Sequence, residues 1–428
     1  MGADSPQNLL RHSALLMAAT QVANAANLLF QVVMGRTLDP VQYGVLSAML
    51  GVVLVISTPM DALRTMIAHY ASRLAAAQRG VEIRALLGRW FGLLSLVAVP
   101  VLAAAGLLNS TFSEFFRLGE QRGPIPLTGA ILAGSLYLPL FVGALQGAQA
   151  FGWMAVAQHS WGVVRLLVAA ALVLGFAPRA EFGLLGQAAG VAASAVLGGL
   201  GLNAVLGRRR PAATTAMEPG MFRYFGYSLL SLGGFAVLMN ADIIMVKRLF
   251  DPEIAGLFAR AGTIGRSVVF ISMPVALAMF PKVTSAGEVR AGSRGVLMQA
   301  LGLSALIIGA AVALVTLWPE LPLRLLFRDA APTAEMIRLV RLVTWAMSPL
   351  GLVYLLLHFE LAQHRFRQSL ALVVCAVLYV GAVAWRHATL PQVAAALAVA
   401  AALALALLLL IAPRERISGD GAPELQVA

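Results

Sequence analysis

Charge is scarce in this sequence. Asp, Glu, Lys and Arg make up only 12% of 428 residues, while hydrophobic residues make up 60%. Cysteine is nearly absent as well: Cys375 stands alone in an apolar run, which excludes an internal disulfide or a cysteine cluster. No GxxxxGK[ST] loop occurs, which argues against direct drive by ATP. No HExxH and no Cys/His metal spacing is present, so nothing implies a metal or other cofactor, and no cluster offers catalytic residues. The period-2 patterning of a membrane barrel is missing too.

What fills the chain instead is long apolar runs. Mean hydropathy is +0.84, and many runs exceed the roughly eighteen residues that read as a membrane helix. The sequence therefore predicts an all-α polytopic membrane protein with about twelve transmembrane helices of roughly twenty residues each. They fall near 13–35, 43–66, 86–108, 127–148, 153–177 and 184–206, then near 222–246, 254–280, 296–318, 334–360, 367–387 and 390–412. The first run has no A-x-A-like site after it and continues polar and long, so it reads as an uncleaved first span. Residues 1–206 form an expected N-terminal six-helix lobe and 222–412 a C-terminal one. The segment 207–221, with three arginines at 208–210, reads as a cytoplasmic linker, and 413–428 as a disordered cytoplasmic tail.

The formal net charge of +12 raises nucleic acid as a partner, but the arginines punctuate membrane spans. A membrane-surface explanation is preferred, with no nucleic acid. With the N-terminus inside, the larger share of basic residues falls on the cytoplasmic face, and the loop at 319–341 is the main exception. Both termini are then cytoplasmic. The longest outer loop, roughly 109–126, interleaves Glu114 and Glu120 with Arg117 and Arg122, and reads as a solvated, salt-bridged loop.

One motif occurs twice. VMGRTLDPVQYGVL at 33–46 matches MVKRLFDPEIAGLF at 245–258, with Arg36/Arg248, Asp39/Asp251, Pro40/Pro252 and Gly44/Gly256 coinciding at one offset. Each copy sits between long spans. Two six-span halves of the same polarity imply a pseudo-twofold axis along the membrane normal, an arrangement suited to two lobes rocking about a shared site.

Charges within spans single out the candidate site residues, because each costs from roughly 3 to over 10 kcal/mol in hydrocarbon. Counting residues from the second corner places Asp242 and Arg260 at similar depth, an expected structural ion pair. Asp61 and Arg64, three apart on one helix, form a second. Arg165 and Arg266, one per half, have no acid at matching depth. Their bland reading is an arginine satisfied by carbonyls, and their functional reading is bidentate binding of an anion such as a pyrophosphate. Thr263, Arg266, Ser267, Phe270 and Pro274 share one helical stripe that would line a cavity. Gln21, Asn24, Asn27 and Gln31 recur along the first span, and Asn240 lies near the repeat-equivalent of Asn27. These amides suit sugar hydroxyls or helix-to-helix bonds equally.

The corner GRTLDPVQYGVLS, the LQGAQAF turn at 145–151 and the MFPKVTS end at 279–285 resemble the polysaccharide-transporter branch of the multidrug/oligosaccharidyl-lipid/polysaccharide (MOP) exporter superfamily. That resemblance implies two six-helix bundles around a V-shaped cavity. It also implies movement of undecaprenyl-diphosphate-linked oligosaccharide across a bacterial inner membrane, with lipids, a polysaccharide polymerase and glycosyltransferases as partners. Cationic cavity residues are a feature of such flippases, for which Arg165 and Arg266 are the candidates, with Arg260, Asn27, Asn240 and Thr263 as further substrate contacts. Drug-exporting relatives often carry an acid in the first span, and none occurs here between Leu15 and Arg36. The alternative is a cation-coupled small-molecule exporter of the same superfamily, which would draw its coupling carboxylate from Asp61, Asp242 or Glu360. A membrane glycan polymerase or acyltransferase comes third, for want of a catalytic cluster.

Overall fold

The computed structural model describes residues 6–207, 219–285, 290–328, 331–362 and 367–411. Most of the expected linker and the tail at 413–428 lie outside them. Among the described residues every regular element is helical. Apolar side chains dictate this, because a backbone crossing hydrocarbon must satisfy its own hydrogen bonds.

The first bundle contains α1 (Pro6–Thr37), α2 (Pro40–Ser57), a 3₁₀ turn (Thr58–Met60), α3 (Asp61–Ala76), α4 (Gly80–Leu107) and α5 (Asn109–Phe115). It continues with α6 (Pro124–Ser135), α7 (Leu138–Gly147), α8 (Phe151–Gly175) and α9 (Ala180–Leu206). The second contains α10 (Pro219–Leu249), α11 (Pro252–Ser285), α12 (Arg290–Leu317), α13 (Glu320–Phe327), α14 (Ala334–Ala362), α15 (Arg367–Trp385) and α16 (Leu390–Ile411). Eleven segments of the described residues are long and apolar enough to cross a membrane. The remaining expected span is α1, which is 32 residues long but diluted in its apolar part by Gln21, Asn24, Asn27 and Gln31. The chain is a multi-pass membrane protein.

Packing repeats between the bundles. In the first, α1 lies on α8, α8 on α9, α3 on α7 and α4 on α6; in the second, α10 lies on α15, α15 on α16, α11 on α14 and α12 on α14. Two of the expected spans are broken rather than continuous. Span two divides at Thr58–Met60, where Pro59 lacks the N–H that a helix interior needs. Span four divides between α6 and α7, with Pro139 just inside the second piece.

The expected solvated loop at 109–126 is different in the structure. It contains α5, buries Ser113, Phe116 and Leu118, and sends Arg117 across to the other bundle. Phe116 and Leu118, both buried, outweigh the charges that flank them. Arg117 (φ 49°) ends α5 in the left-handed conformation, and Arg328 (φ 56°) ends α13 in the same way. The FR dipeptide at both positions is a second trace of the repeat.

Candidate substrate site between the bundles

Each Asp-Pro corner turns the chain between two long helices. Asp39 caps α2 by accepting from the Gln42 N–H (2.8 Å), and Pro40 occupies the first helical position, where no N–H is needed. The two corners meet. A Cβ on Gly44 would lie 3.0 Å from the Gly256 Cα, so α2 and α11 touch backbone to backbone at the pseudo-twofold axis.

Just inside this contact sits a polar knot joining both bundles. The Tyr43 hydroxyl donates to Gln31 Oε1 (3.0 Å) and lies 2.9 Å from Thr263 Oγ1, while its ring meets Phe327 edge-on. Beyond the knot the two seams differ. On one side α10 packs along α2, the 3₁₀ turn and α3; on the other, α1 and α11 do not pack along each other. The side chains of Gln21 and Asn24 on α1 are exposed, as are Ser267, Phe270 and Pro274 on α11. Gln21, Asn24 and Gln31 follow one helical stripe that leads to the knot, so this open seam has an amide-bearing wall.

The arginines are tied within their own bundles. Arg165 on α8 is 7% exposed; it donates to Asn27 Oδ1 (2.7 Å) and Gln187 Oε1 (3.1 Å) and stacks on Phe30 and Trp161. Its Nε has no partner among the described residues, and no carboxylate pairs with it there. Hydrogen bonds to a charged group contribute about 1.5–3 kcal/mol each, and a desolvated cation–π contact about 2 kcal/mol. Such a cage offsets burial of the guanidinium but leaves its positive charge uncompensated.

Arg266 is different, and here the expected pairing is corrected. Asp242 pairs with Arg266 (2.5 Å), not with Arg260, and Arg266 Nε also donates to the Met239 carbonyl (2.9 Å). Counting residues from the corner neglects that side chains lean toward their own helix N-terminus. Asp242 leans away from the corner and Arg266 toward it, so the two converge. Arg260 leans past the acid to the Leu38 carbonyl (3.5 Å) and the Phe327 ring (5.4 Å). Arg266 therefore leaves the stripe on which Ser267, Phe270 and Pro274 are exposed, while Thr263 is tied into the knot.

Asn27 serves Arg165 as described, whereas Asn240 is buried against α2 and donates to the Ala236 carbonyl (3.0 Å). Arg64 Nε lies 3.4 Å from Asp61 Oδ1 in a partly exposed pair. Sequence reasoning missed Tyr43, Gln187 and Trp161. Tyr43 lies within the duplicated corner motif but does not match its counterpart there, Gln187 and Trp161 belong to no motif, and only the register of α2, α8 and α9 brings the three to their partners.

Two helical bundles meeting at duplicated corners define the class: this is the fold of MOP superfamily transporters. Lipid II flippase MurJ in an inward closed conformation is similar with a TM-score of 0.69 at 12% identity, over 93% of this chain and 87% of that one. A MATE family multidrug resistance transporter of the superfamily, in an inward-facing conformation, is similar at 0.68 and 14% identity, over 90% and 93%. A Pyrococcus furiosus MOP superfamily transporter, whose title reports a binding pocket of reverse polarity, is similar at 0.59 and 14%, over 93% and 92%. Such identities make the likeness one of fold. No protein-family model matches the sequence, and no curated protein does.

Proposed function

We propose that this protein is a flippase that moves undecaprenyl-diphosphate-linked oligosaccharide across a bacterial inner membrane by alternating access, with both termini cytoplasmic. A polysaccharide polymerase and glycosyltransferases would be its partners in surface polysaccharide synthesis. The observation that carries this reading is Arg165, a buried guanidinium held only by amides and aromatic rings. A cationic drug would be repelled by such a centre, whereas a diphosphate supplies the missing negative charge and accepts the guanidinium fork. The open seam between α1 and α11 gives a lipid-borne headgroup a lateral way in. Exposed Gln21 and Asn24 suit its sugars. On this reading Arg165 and Asn27 receive the anion, Thr263 lies at the closed end of the path, and Arg266, Arg260 and Asn240 support it.

Arg165→Ala should leave the protein in the membrane and lower surface polysaccharide by about tenfold to a hundredfold, the equivalent of about one charge-assisted hydrogen bond. Arg165→Lys should restore only part, because ammonium loses the fork. Normal surface polysaccharide in cells with well-inserted Arg165→Ala protein would overturn the proposal.

A second reading is a cation-coupled exporter, and one observation favours it. Asp242 is fully buried and its Oδ2 has no hydrogen-bond partner among the described residues. Proton- or sodium-driven efflux of cationic dyes, lost in Asp242→Asn and retained in Arg165→Ala, would select this reading.

A further inference from the structure

The duplicated corners do more than turn the chain. Arg36, at the end of α1, donates from Nε (3.0 Å) and Nη2 (2.8 Å) to the Leu325 carbonyl of α13, in the other bundle. On the opposite side of the axis α10 and α5 are joined in turn, with donor and acceptor exchanged between long and short helix. Arg117, just past α5, donates to the Phe250 carbonyl at the end of α10 (3.3 Å) and lies 3.8 Å from Asp251. Arg248 on α10 stacks over Phe115 of α5 (5.0 Å). Both accepting carbonyls belong to the last turn or the end of a helix, where no further N–H of the helix is available and the dipole favours a cation. So each bundle's first helix is clasped to the other bundle's short helix, once on each side of the Gly44–Gly256 contact.

Lys247 works against this clasp. Its side chain is 0% exposed, its Nζ has no hydrogen-bond partner among the described residues, and the nearby Arg117 charge bears on it. At the repeat-equivalent position stands Gly35, which lies against the backbone of Leu326 and the ring of Phe327 without a polar group to satisfy. The second corner therefore buries an unmatched amine on closing, and parting of the bundles would return it to water.

We infer that the corners form a two-sided latch holding this face of the molecule shut, closed by Arg36 and Arg117 and loaded toward opening by Lys247. The device rests on the alternating-access reading, whichever cargo is carried. A ligand that binds the parted state better then needs only to outweigh the difference between clasp and load.

Pulsed electron–electron distance measurement tests this without reference to transport. Spin labels are placed at Val41→Cys and Ile254→Cys, one beside each corner, in a Cys375→Ser background reconstituted in liposomes. The parent should give a dominant short distance. Arg36→Ala with Arg117→Ala should lower the ratio of short to long distances by about tenfold or more, as expected for losing three charge-assisted bonds, with each single change giving part of that shift. Lys247→Met should raise the ratio. If the double alanine variant does not fold, Arg36→Lys with Arg117→Lys serves instead, with a smaller shift in the same direction. An unchanged distribution in the folded double variant would overturn the latch, and so would opening by Lys247→Met. A latch that behaves as expected in a protein that exports no glycan would overturn the cargo assignment alone.

Discussion

Gly256→Ala should abolish transport while leaving the protein folded in the membrane. A Cβ built on Gly256 would lie 1.9 Å from the Pro40 carbonyl oxygen and 2.3 Å from its carbon. Those are backbone atoms at the start of α2, so no rotamer change can make room. Overpacking of this kind costs typically 1–3 kcal/mol, occasionally more, and it falls entirely on the state in which the corners touch. Within α11 itself alanine is the better helix former by about 0.8–1.0 kcal/mol. The expected result is a stable helix that can no longer close against its partner, so the cycle stops with the corner face parted. Gly44→Ala, whose Cβ would meet Gly256 at 3.0 Å, should be milder. Gly302→Ala and Gly309→Ala on α12, where nothing lies within 4 Å, are the controls and should transport normally. Full activity in Gly256→Ala would show that closure of the corner is not required.

That glycine was legible before any coordinates, because the corner is written twice in the chain. Four coinciding residues at one offset placed Gly44 and Gly256 in equivalent positions, but that the two glycines meet at the axis is visible only in the structure. Span count and helix type were legible for a simpler reason: hydrocarbon admits few ways to satisfy a backbone. The breaks in spans two and four were not read, although Pro59 and Pro139 stand at them. Hydropathy averages across a short interruption and sees one continuous run. The short helix α5 was hidden by its charges, which suggested a solvated loop, and α13 lay in a loop noted only for its basic residues, while the buried Phe116, Leu118 and Phe327 decided the packing.

The buried charges were legible as a set but not as partners. Arg165, Arg266, Asp242 and Arg260 were all flagged by their cost in hydrocarbon. Which pairs with which depends on side-chain lean and helix crossing, about a helical turn's worth of displacement that residue counting ignores. Arg165 illustrates the other limit. Its neutral cage comes from Asn27, Phe30, Trp161 and Gln187 on three helices, and no spacing in the sequence links 27 with 187.

Removing Asp242 should be the most destabilising single change in the second bundle, and removing Arg266 with it should restore much of the loss. In the native arrangement the carboxylate is 0% exposed, bonded to Arg266, and the guanidinium's other bond goes to the Met239 carbonyl. Asp242→Asn leaves a buried guanidinium with no counter-charge, and breaking a buried pair in this way costs about 3–5 kcal/mol. Arg266→Met leaves the converse, an unpaired carboxylate on α10. Asp242→Asn with Arg266→Met leaves neither charge, and an ion pair replaced by neutral groups of similar volume is often tolerated. Thermal unfolding of the purified protein should therefore show a coupling energy of about 0.5–3 kcal/mol between the two sites. Arg260→Met in place of Arg266→Met should give no such rescue, since Arg260 is directed to Leu38 and Phe327 instead. Arg266→Lys should fall between, because one ammonium cannot reproduce the planar fork that spans Asp242 and Met239. Additive losses for Asp242 and Arg266, or rescue by Arg260→Met, would refute the pairing on which the second bundle's charge balance depends.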